Sequence, residues 1–513
     1  MSTAPGEAIT RLTHEQRTAL QHTDIAVRYG RRQSVYIAYA GAGKTFILLQ
    51  TAAALQGEVL LIAFNAAIVR DLLPRLRPFG KRLRAMTSHQ LALHSLPQDF
   101  QRAVKESLRT DNGQLAAPQI VDGLGIEAYR SINTEWSPLQ LAGLARKTLS
   151  RFCHSSDPIL AAAHVPHHQR LPYDVVQRVL HDTERLWQAM QSVDLPITHD
   201  AYFKLWALSN PQIPEGYRMV DEAQDTNPAL YGVLFAQKEG LNIWAGDPYQ
   251  SIYSWRGARN AIEIAEQQPS SIASRLTQSF RFGDETAELA TRLLRCVGEA
   301  HPVRGSGSTK VQLAPSQIQP PDVSRKVTAP FAWIAFTNGA LIQAALSCVD
   351  EGIPFHIVGQ GREQRSILCA AMALKRGESP PSGPLAAYRS WHDLEEEAEL
   401  QPEGDAARLV RMAQYPGLYP AAEAIGKSLP QEAGAQVILS TVHSAKGREW
   451  DLVVLDKDLD ASRDKGERRL FVTASGDLHY DDREDIHLRY VAVTRARKRL
   501  VMACPELYRW LTR

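Results

Sequence analysis

One stretch constrains the fold of this chain more than any other. The β-branched run Val35-Tyr36-Ile37-Ala38 leads into Ala38-Tyr39-Ala40-Gly41-Ala42-Gly43-Lys44-Thr45 and then into the helical pattern FILLQTAAAL. Strand, glycine-rich turn and helix in that order build a nest of backbone N–H groups at a helix N-terminus, which is a phosphate cradle. Gly41 and Gly43 let the N–H groups of Ala40, Gly41, Ala42 and Gly43 converge on phosphate oxygens. Lys44 supplies a point charge to the outer phosphates, and the Thr45 hydroxyl can ligate Mg²⁺. Ala38 stands where the general pattern has its first glycine.

Further short apolar runs, each followed by turn residues and helical periodicity, predict parallel α/β layers. The runs at 35–38, 58–64, 218–223 and 242–247 form one series, and those at 331–336, 437–442, 451–456 and 499–504 form a second. Two parallel-sheet lobes follow, the first spanning 1–98 and 211–285 and the second 286–360 and 433–513. A mainly helical insertion at 99–210 interrupts the first, and a shorter polar insertion at 361–432 interrupts the second. The Gly-, Ser- and Pro-rich segment 303–326 reads as an exposed connection near which the lobes meet. Inside the second insertion Glu395, Glu396, Glu397 and Glu399 read as a solvated helix face.

With 513 residues and 44% hydrophobic composition the chain can bury several cores. Fifty-eight Lys and Arg against 56 Asp and Glu leave a net charge of +2, which excludes a globally basic binder and requires any nucleic-acid affinity to come from a local groove. Cys153, Cys296, Cys348, Cys369 and Cys504 are scattered without a CxxC pair, so neither a zinc site nor a metal cluster is expected. Lacking a signal-like start or a membrane-length apolar run, the chain is expected to be cytoplasmic, nucleoid-associated and bacterial or phage-encoded, without a membrane partner.

A phosphate cradle needs a metal-holding carboxylate on a neighbouring strand, and Met219-Val-Asp-Glu-Ala-Gln-Asp225 offers one. Asp221 would hold Mg²⁺ and Glu222 would take a proton from the attacking water, although two acids after a strand can also be helix N-caps.

DEAQD at 221–225, GDPYQSIYSWRGA at 246–258, TVHSAKGREWD at 441–451 and YVAVTRARKRL at 490–500 resemble motifs II, III, V and VI of UvrD/Rep-type superfamily 1 helicases, in the family's order. HDAYFKLWALSNP at 199–211 and LTQSFRFG at 276–283 are similar in style to the F-box DNA helicase branch, without the F-box itself. The resemblance implies two RecA-like lobes, ATP and Mg²⁺ as cofactors, and DNA as substrate, both single strands and tailed duplexes. Gln16 matches the glutamine that reads adenine, and with Thr13 it also forms a capping-box pattern. Gln250 matches a γ-phosphate sensor, Arg281 and Arg495 the pair that clamps the transferred phosphate, Phe280 an adenine-stacking ring, and Glu449 a sugar-contacting carboxylate. Phe64, Thr87, His89, Tyr253, Trp255, Arg256, His443, Ser444 and Lys446 match positions that stack on bases or touch phosphates, with core packing as the alternative for Trp255.

Ser88, Arg448 and the arginine-free AFTNGA at 335–340 depart from the family pattern and concern the DNA track. The short second insertion implies that strand separation depends on a protein partner or on self-association. Three functions remain in view: a DNA helicase with the family's 3′ to 5′ polarity, serving repair, recombination or defence; a translocase that strips bound proteins; and a nucleotide-switched subunit of a nuclease complex.

Overall fold

The computed structural model describes residues 12–111, 115–131, 134–166, 168–169, 171–252, 260–315, 317–359, 361–380, 385, 388–400, 405–414, 416–460, 470–472, 478–480 and 483–512. In chain order β1 (Gln33–Ala38), β2 (Val59–Ala63) and β3 (Leu83–Thr87) precede a small hairpin of β4 (Tyr129–Ser131) and β5 (Thr134–Trp136). Next come β6 (Tyr217–Val220), β7 (Leu241–Gly246) and β8 (Ser271–Leu276). The second half holds β9 (Lys310–Leu313), β10 (Phe331–Ala335), β11 (Phe355–Ile357), β12 (Val437–Thr441), β13 (Trp450–Leu455), the hairpin β14 (Leu470–Val472) and β15 (Leu478–Tyr480), and β16 (Ala496–Met502).

Two six-stranded parallel sheets result, ordered β3-β2-β6-β7-β1-β8 and β11-β12-β10-β13-β16-β9. They are two RecA-like lobes. The central strands are buried on both faces, which is why they read as continuous apolar runs. In β1, Val35 and Ile37 enter one core layer while Tyr36 and Ala38 enter the other. The same alternation divides Ala332 and Ile334 from Phe331 and Trp333 in β10.

Besides the two small hairpins, four strands of the main sheets escaped the sequence reading. β3, β8, β9 and β11 lie at sheet edges. Their half-exposed faces carry Arg84, Arg275, Lys310 and His356, so none presents an unbroken apolar run. The segment 303–326 is therefore corrected. It contributes edge strand β9, which pairs with β16, and it also folds back on the first lobe through bridges Gln278–Arg304 and Gly283–Gly307. Its glycines serve backbone contact, since a Cβ on Gly305 would come within 2.3 Å of Gly283 C.

The acidic run is a second correction. Helix Trp391–Leu400 packs against helix Pro138–Cys153 of the first insertion. Glu397 is buried, accepts from the Tyr388 hydroxyl at 2.5 Å and pairs with Arg146. Glu396 accepts from Ser137, the N-cap of helix Pro138–Cys153, at 2.5 Å. Glu399 alone of the four is exposed. Carboxylates that sequence spacing assigns to solvent thus join the two insertions. Among the described residues no helix is long and apolar enough to cross a membrane.

Replacing Glu397 by Ala would leave the Tyr388 hydroxyl and the Arg146 guanidinium without their shared partner. The seam should weaken by about 1–3 kcal/mol, the low end being favoured because Arg146 is one-third exposed. The expected readout is faster protease cleavage within 361–432 with unchanged melting of the lobes. Equal cleavage rates would show that Glu397 does not hold the insertions together.

Candidate nucleotide and nucleic-acid site

Strand order decides which side chains can meet. β6, β7, β1 and β8 are consecutive neighbours in the first sheet, so the turns leaving their carboxyl ends form one row. Those turns carry Asp221 and Glu222, Asp247 to Gln250, Ala40 to Thr45, and Thr277 to Arg281 respectively. The second lobe answers with its amino ends, since Glu449 immediately precedes β13 and Arg495 immediately precedes β16.

The phosphate loop is held open by its glycines. Gly43 is left-handed at φ 81° and caps helix Lys44–Ala54 without a side-chain bond, which leaves the first-turn amides for an anion. Gly41 is also left-handed, and a Cβ there would lie 2.4 Å from Ser279 Oγ and 2.7 Å from Arg281 Cβ. The Phe280 N–H donates to Gly41 O at 2.8 Å, so the segment after β8 is laced to the loop. Gln16 and the half-exposed Phe280 ring both lie beside Gly43. Gln16 Oε1 accepts from the Thr13 N–H at 3.1 Å, and the Thr13 hydroxyl accepts from the Gln16 N–H at 3.2 Å. The capping box is therefore present, while the Gln16 Nε2 end faces the loop.

Asp221 is buried, with Thr45 as a hydrogen-bond partner, and its Oδ1 accepts from the Glu222 N–H at 2.9 Å. Burial and the adjacent Glu222 push its carboxyl above the usual range. A hydroxyl and a carboxylate beside a phosphate cradle are the hard oxygen donors that Mg²⁺ prefers, so the residues fit that ion. Glu222 has a left-handed backbone at φ 51° and makes no side-chain cap bond, which removes the N-cap alternative. Its Oε1 lies 3.3 Å from Lys44 Nζ. Burial would raise its carboxyl, but Lys44 and Lys446 outweigh burial and hold it low.

Gln250 Nε2 donates to Asp247 Oδ2 at 2.7 Å, and Gln250 Oε1 accepts from Arg495 Nη2 at 3.2 Å. Burial, with Arg281 nearby, brings the Arg495 guanidinium down to about 9, so it remains charged at neutral pH. Arg281 spans the lobes, its Nε donating to Glu449 Oε2 at 2.6 Å and its Nη1 to Thr494 O at 3.2 Å. The residues expected around ATP are thus gathered from both lobes into one cleft.

The residues expected on the DNA track are gathered less completely. Phe64 follows β2 and is partly exposed, while Thr87 ends β3; both lie on the same carboxyl edge, two strands and more from the phosphate loop. Thr87 caps helix Ser88–Ser95, accepting from the Gln90 N–H at 3.2 Å. His89 packs on Phe203 and lies 3.8 Å from Asp200. His443 and Ser444 sit in the short helix Val442–Ala445 after β12. Lys446 is placed elsewhere than expected, because its buried ammonium donates to Asp225 Oδ2 and Gln250 O inside the lobe interface. Tyr253, Trp255 and Arg256 lie outside the described residues.

Sequence reasoning did not single out Asp225, Asp247 or Tyr490, each of which lies within a quoted motif. Their signal was position beside known site residues, but their partners lie in the other lobe.

Residues 19–269 match the profile of the UvrD/REP helicase N-terminal domain, and residues 388–506 that of the UvrD-like helicase C-terminal domain. The F-box DNA helicase protein 1 of Schizosaccharomyces pombe is 29% identical over 491 residues, covering 91% of this chain and 55% of that protein. The F-box DNA helicase 1 of Gallus gallus is 30% identical over 531 residues, covering 96% and 49%. The chain spans about half the length of these curated relatives. The ATP-dependent DNA helicase UvrD2 of Mycobacterium tuberculosis is 24% identical over 590 residues, covering 98% and 80%. Two domain profiles matched in chain order, on a fold of two RecA-like lobes, place this chain in the UvrD-like helicase family.

Proposed function

We propose that this chain is an ATP-driven DNA helicase that moves 3′ to 5′ along single-stranded DNA and couples hydrolysis to strand separation. The observation that carries the reading is the convergence of Lys44, Glu222 and Gln250 from one lobe with Arg281 and Arg495 at the seam with the other. A nucleotide-switched binding module has no need of a proton acceptor and two arginines aimed at one cleft.

In this reading the amides of Gly41 and Gly43 and the Lys44 ammonium hold the β- and γ-phosphates, while Gln16 and Phe280 hold the adenine; the Ala40 N–H, expected in the cradle, is instead taken by the Tyr490 hydroxyl and the Ala42 N–H by Tyr39 O. Thr45 and Asp221 would hold Mg²⁺, which neutralises phosphate charge. Glu222 takes the proton of the attacking water. Gln250 reads the γ-phosphate, and Arg281 and Arg495 stabilise the charge on the transferred group, the task that guanidinium geometry suits. Glu449, held on Arg281, is the proposed ribose contact. Once the γ-phosphate leaves, the arginines lose their anion and the cleft relaxes, so lobe two shifts against lobe one. Phe64, Thr87, His89, His443 and Ser444, with Tyr253, Trp255 and Arg256, are the proposed strand contacts. Stacking on bases is sequence-tolerant, as stepping along any strand requires. The domain boundaries given for the two lobes and two insertions belong to the same proposal.

Lys44→Ala and Glu222→Gln should each lower Mg²⁺-dependent, DNA-stimulated ATP turnover by roughly two orders of magnitude, the scale of losing a positioned charge or base. Steady-state hydrolysis with and without an oligonucleotide measures this, and near wild-type turnover in either variant removes the catalytic assignment.

Polarity is tested separately. Duplexes with a 3′ single-stranded tail should be opened in preference to those with a 5′ tail. A streptavidin block at the end of an unpaired strand runs in parallel: displacement of the block without opening of the duplex would leave a stripping translocase in place of a helicase.

A further inference from the structure

A hydrogen-bonded bridge between the lobes has no part in the roles above. Tyr490 lies on helix Arg483–Val493 of the second lobe, which leads directly into Thr494 and Arg495. Its hydroxyl accepts from the Ala40 N–H at 3.0 Å and donates to Asp247 Oδ2 at 2.9 Å. Ala40 belongs to the phosphate loop and Asp247 to the turn after β7. Asp247 Oδ2 also accepts from Gln250 Nε2 at 2.7 Å, and Gln250 Oε1 accepts from Arg495 Nη2 at 3.2 Å. The path therefore runs from the loop through Tyr490, Asp247 and Gln250 back to the arginine five residues beyond Tyr490.

Ala40, Asp247, Tyr490 and Arg495 are all fully buried, which leaves bulk water no route to replace the hydroxyl. The bridge needs one group that accepts from an N–H and donates to a carboxylate at once, and a hydroxyl does both. The ring is held independently of the hydroxyl, packing edge-on against Tyr249 at 6.5 Å, and Tyr249 packs in the same way against Tyr39 at 6.0 Å. Packing and hydrogen bonding at this residue can thus be separated by experiment.

We propose that Tyr490 is a positioning residue that keeps Gln250 and Arg495 in register with the phosphate loop, so that closing the lobes and assembling the hydrolytic site are one event. The inference deepens the motor reading and rests on it. Without the hydroxyl, Asp247 loses a donor and the Ala40 N–H loses its acceptor, and Gln250 is no longer fixed relative to the loop. Nucleotide binding, carried by other atoms of the loop, is left in place.

The test is Tyr490→Phe in the full chain, which keeps the ring, with ATP turnover measured at saturating oligo(dT). kcat should fall about tenfold, as for a lost buried hydrogen bond at a reacting site. KM for ATP should change by less than about threefold, and the melting temperature should hold. Asp247→Asn removes the carboxylate at the other end of the bridge and should lower kcat similarly. If the two act as one path, the double variant is no worse than the weaker single variant. Unchanged kcat in Tyr490→Phe overturns the assignment. So does a parallel loss of KM, kcat and melting temperature, which marks a structural tyrosine, and so do losses that multiply in the double variant. A wild-type chain that hydrolyses no ATP overturns the motor reading and this inference with it, whereas an active wild type beside an unaffected Tyr490→Phe removes the coupling alone.

Discussion

The cleft depends on a charge from one lobe being enclosed by the other. Lys446 comes from the second lobe, yet its ammonium is buried against Asp225 Oδ2 and the Gln250 carbonyl of the first. Removing a lysine and an aspartate from water is costly, and their attraction only roughly offsets that cost, so the pair is weak evidence of stability. What it does specify is register. A lysine ammonium with two fixed oxygen acceptors tolerates few lobe arrangements, and each alternative leaves a buried charge unpaired at a cost of about 3–5 kcal/mol. The Arg281–Glu449 pair repeats the device at the rim, where it is partly exposed and correspondingly weaker. The centre of the interface thus fixes the lobes while its edge can open.

Much of this architecture is legible without coordinates because its signals are local. The central strands are buried on both faces, so β2 and β10 appear as unbroken apolar runs and β1, β7 and β12 as largely apolar ones. The phosphate loop is legible for the same reason, since strand, glycines and helix are consecutive. Edge strands fail this test, as β9 shows: Lys-Val-Gln-Leu in a Gly- and Pro-rich stretch is a strand only because β16 lies beside it. Long-range charge pairing is equally invisible. Glu397 meets Arg146 across 251 positions, and Tyr490 meets Asp247 across 243. Spacing along a chain says what one element can do alone, and those residues act between elements.

The arrangement also constrains how nucleotide chemistry could reach a bound strand. In the first lobe both edges of interest belong to one parallel sheet. From β1 to β3 lie four strand steps, about 19 Å at the usual spacing, so the phosphate loop and the Phe64–Thr87 row are ends of a single rigid layer. A layer so packed cannot lengthen to move one end against the other. Displacement must therefore arise between the lobes, and some element of the second lobe must touch both ends.

Residues Val442 to Glu449 meet that requirement through register. β10 pairs Ala335 with Thr441 and Ala332 with Val453, so the segment leaves the carboxyl end of β12 and returns toward the amino end of β13 along the sheet. Along its course His443 and Ser444, two of the proposed strand contacts, stand at one end, Lys446 is fixed on Asp225 and Gln250 in the middle, and Glu449 meets Arg281 at the other end. Its first four residues form the helix Val442–Ala445 and the Arg448 N–H donates to Ala445 O at 3.0 Å, so the segment is a hydrogen-bonded turn with little slack to absorb a shift at one end. A change in how Gln250 or Arg281 is held would thus be transmitted as a displacement of His443 and Ser444 rather than dissipated in a loop, because the lysine that anchors the middle of the segment is bound to the same glutamine residue that faces Arg495.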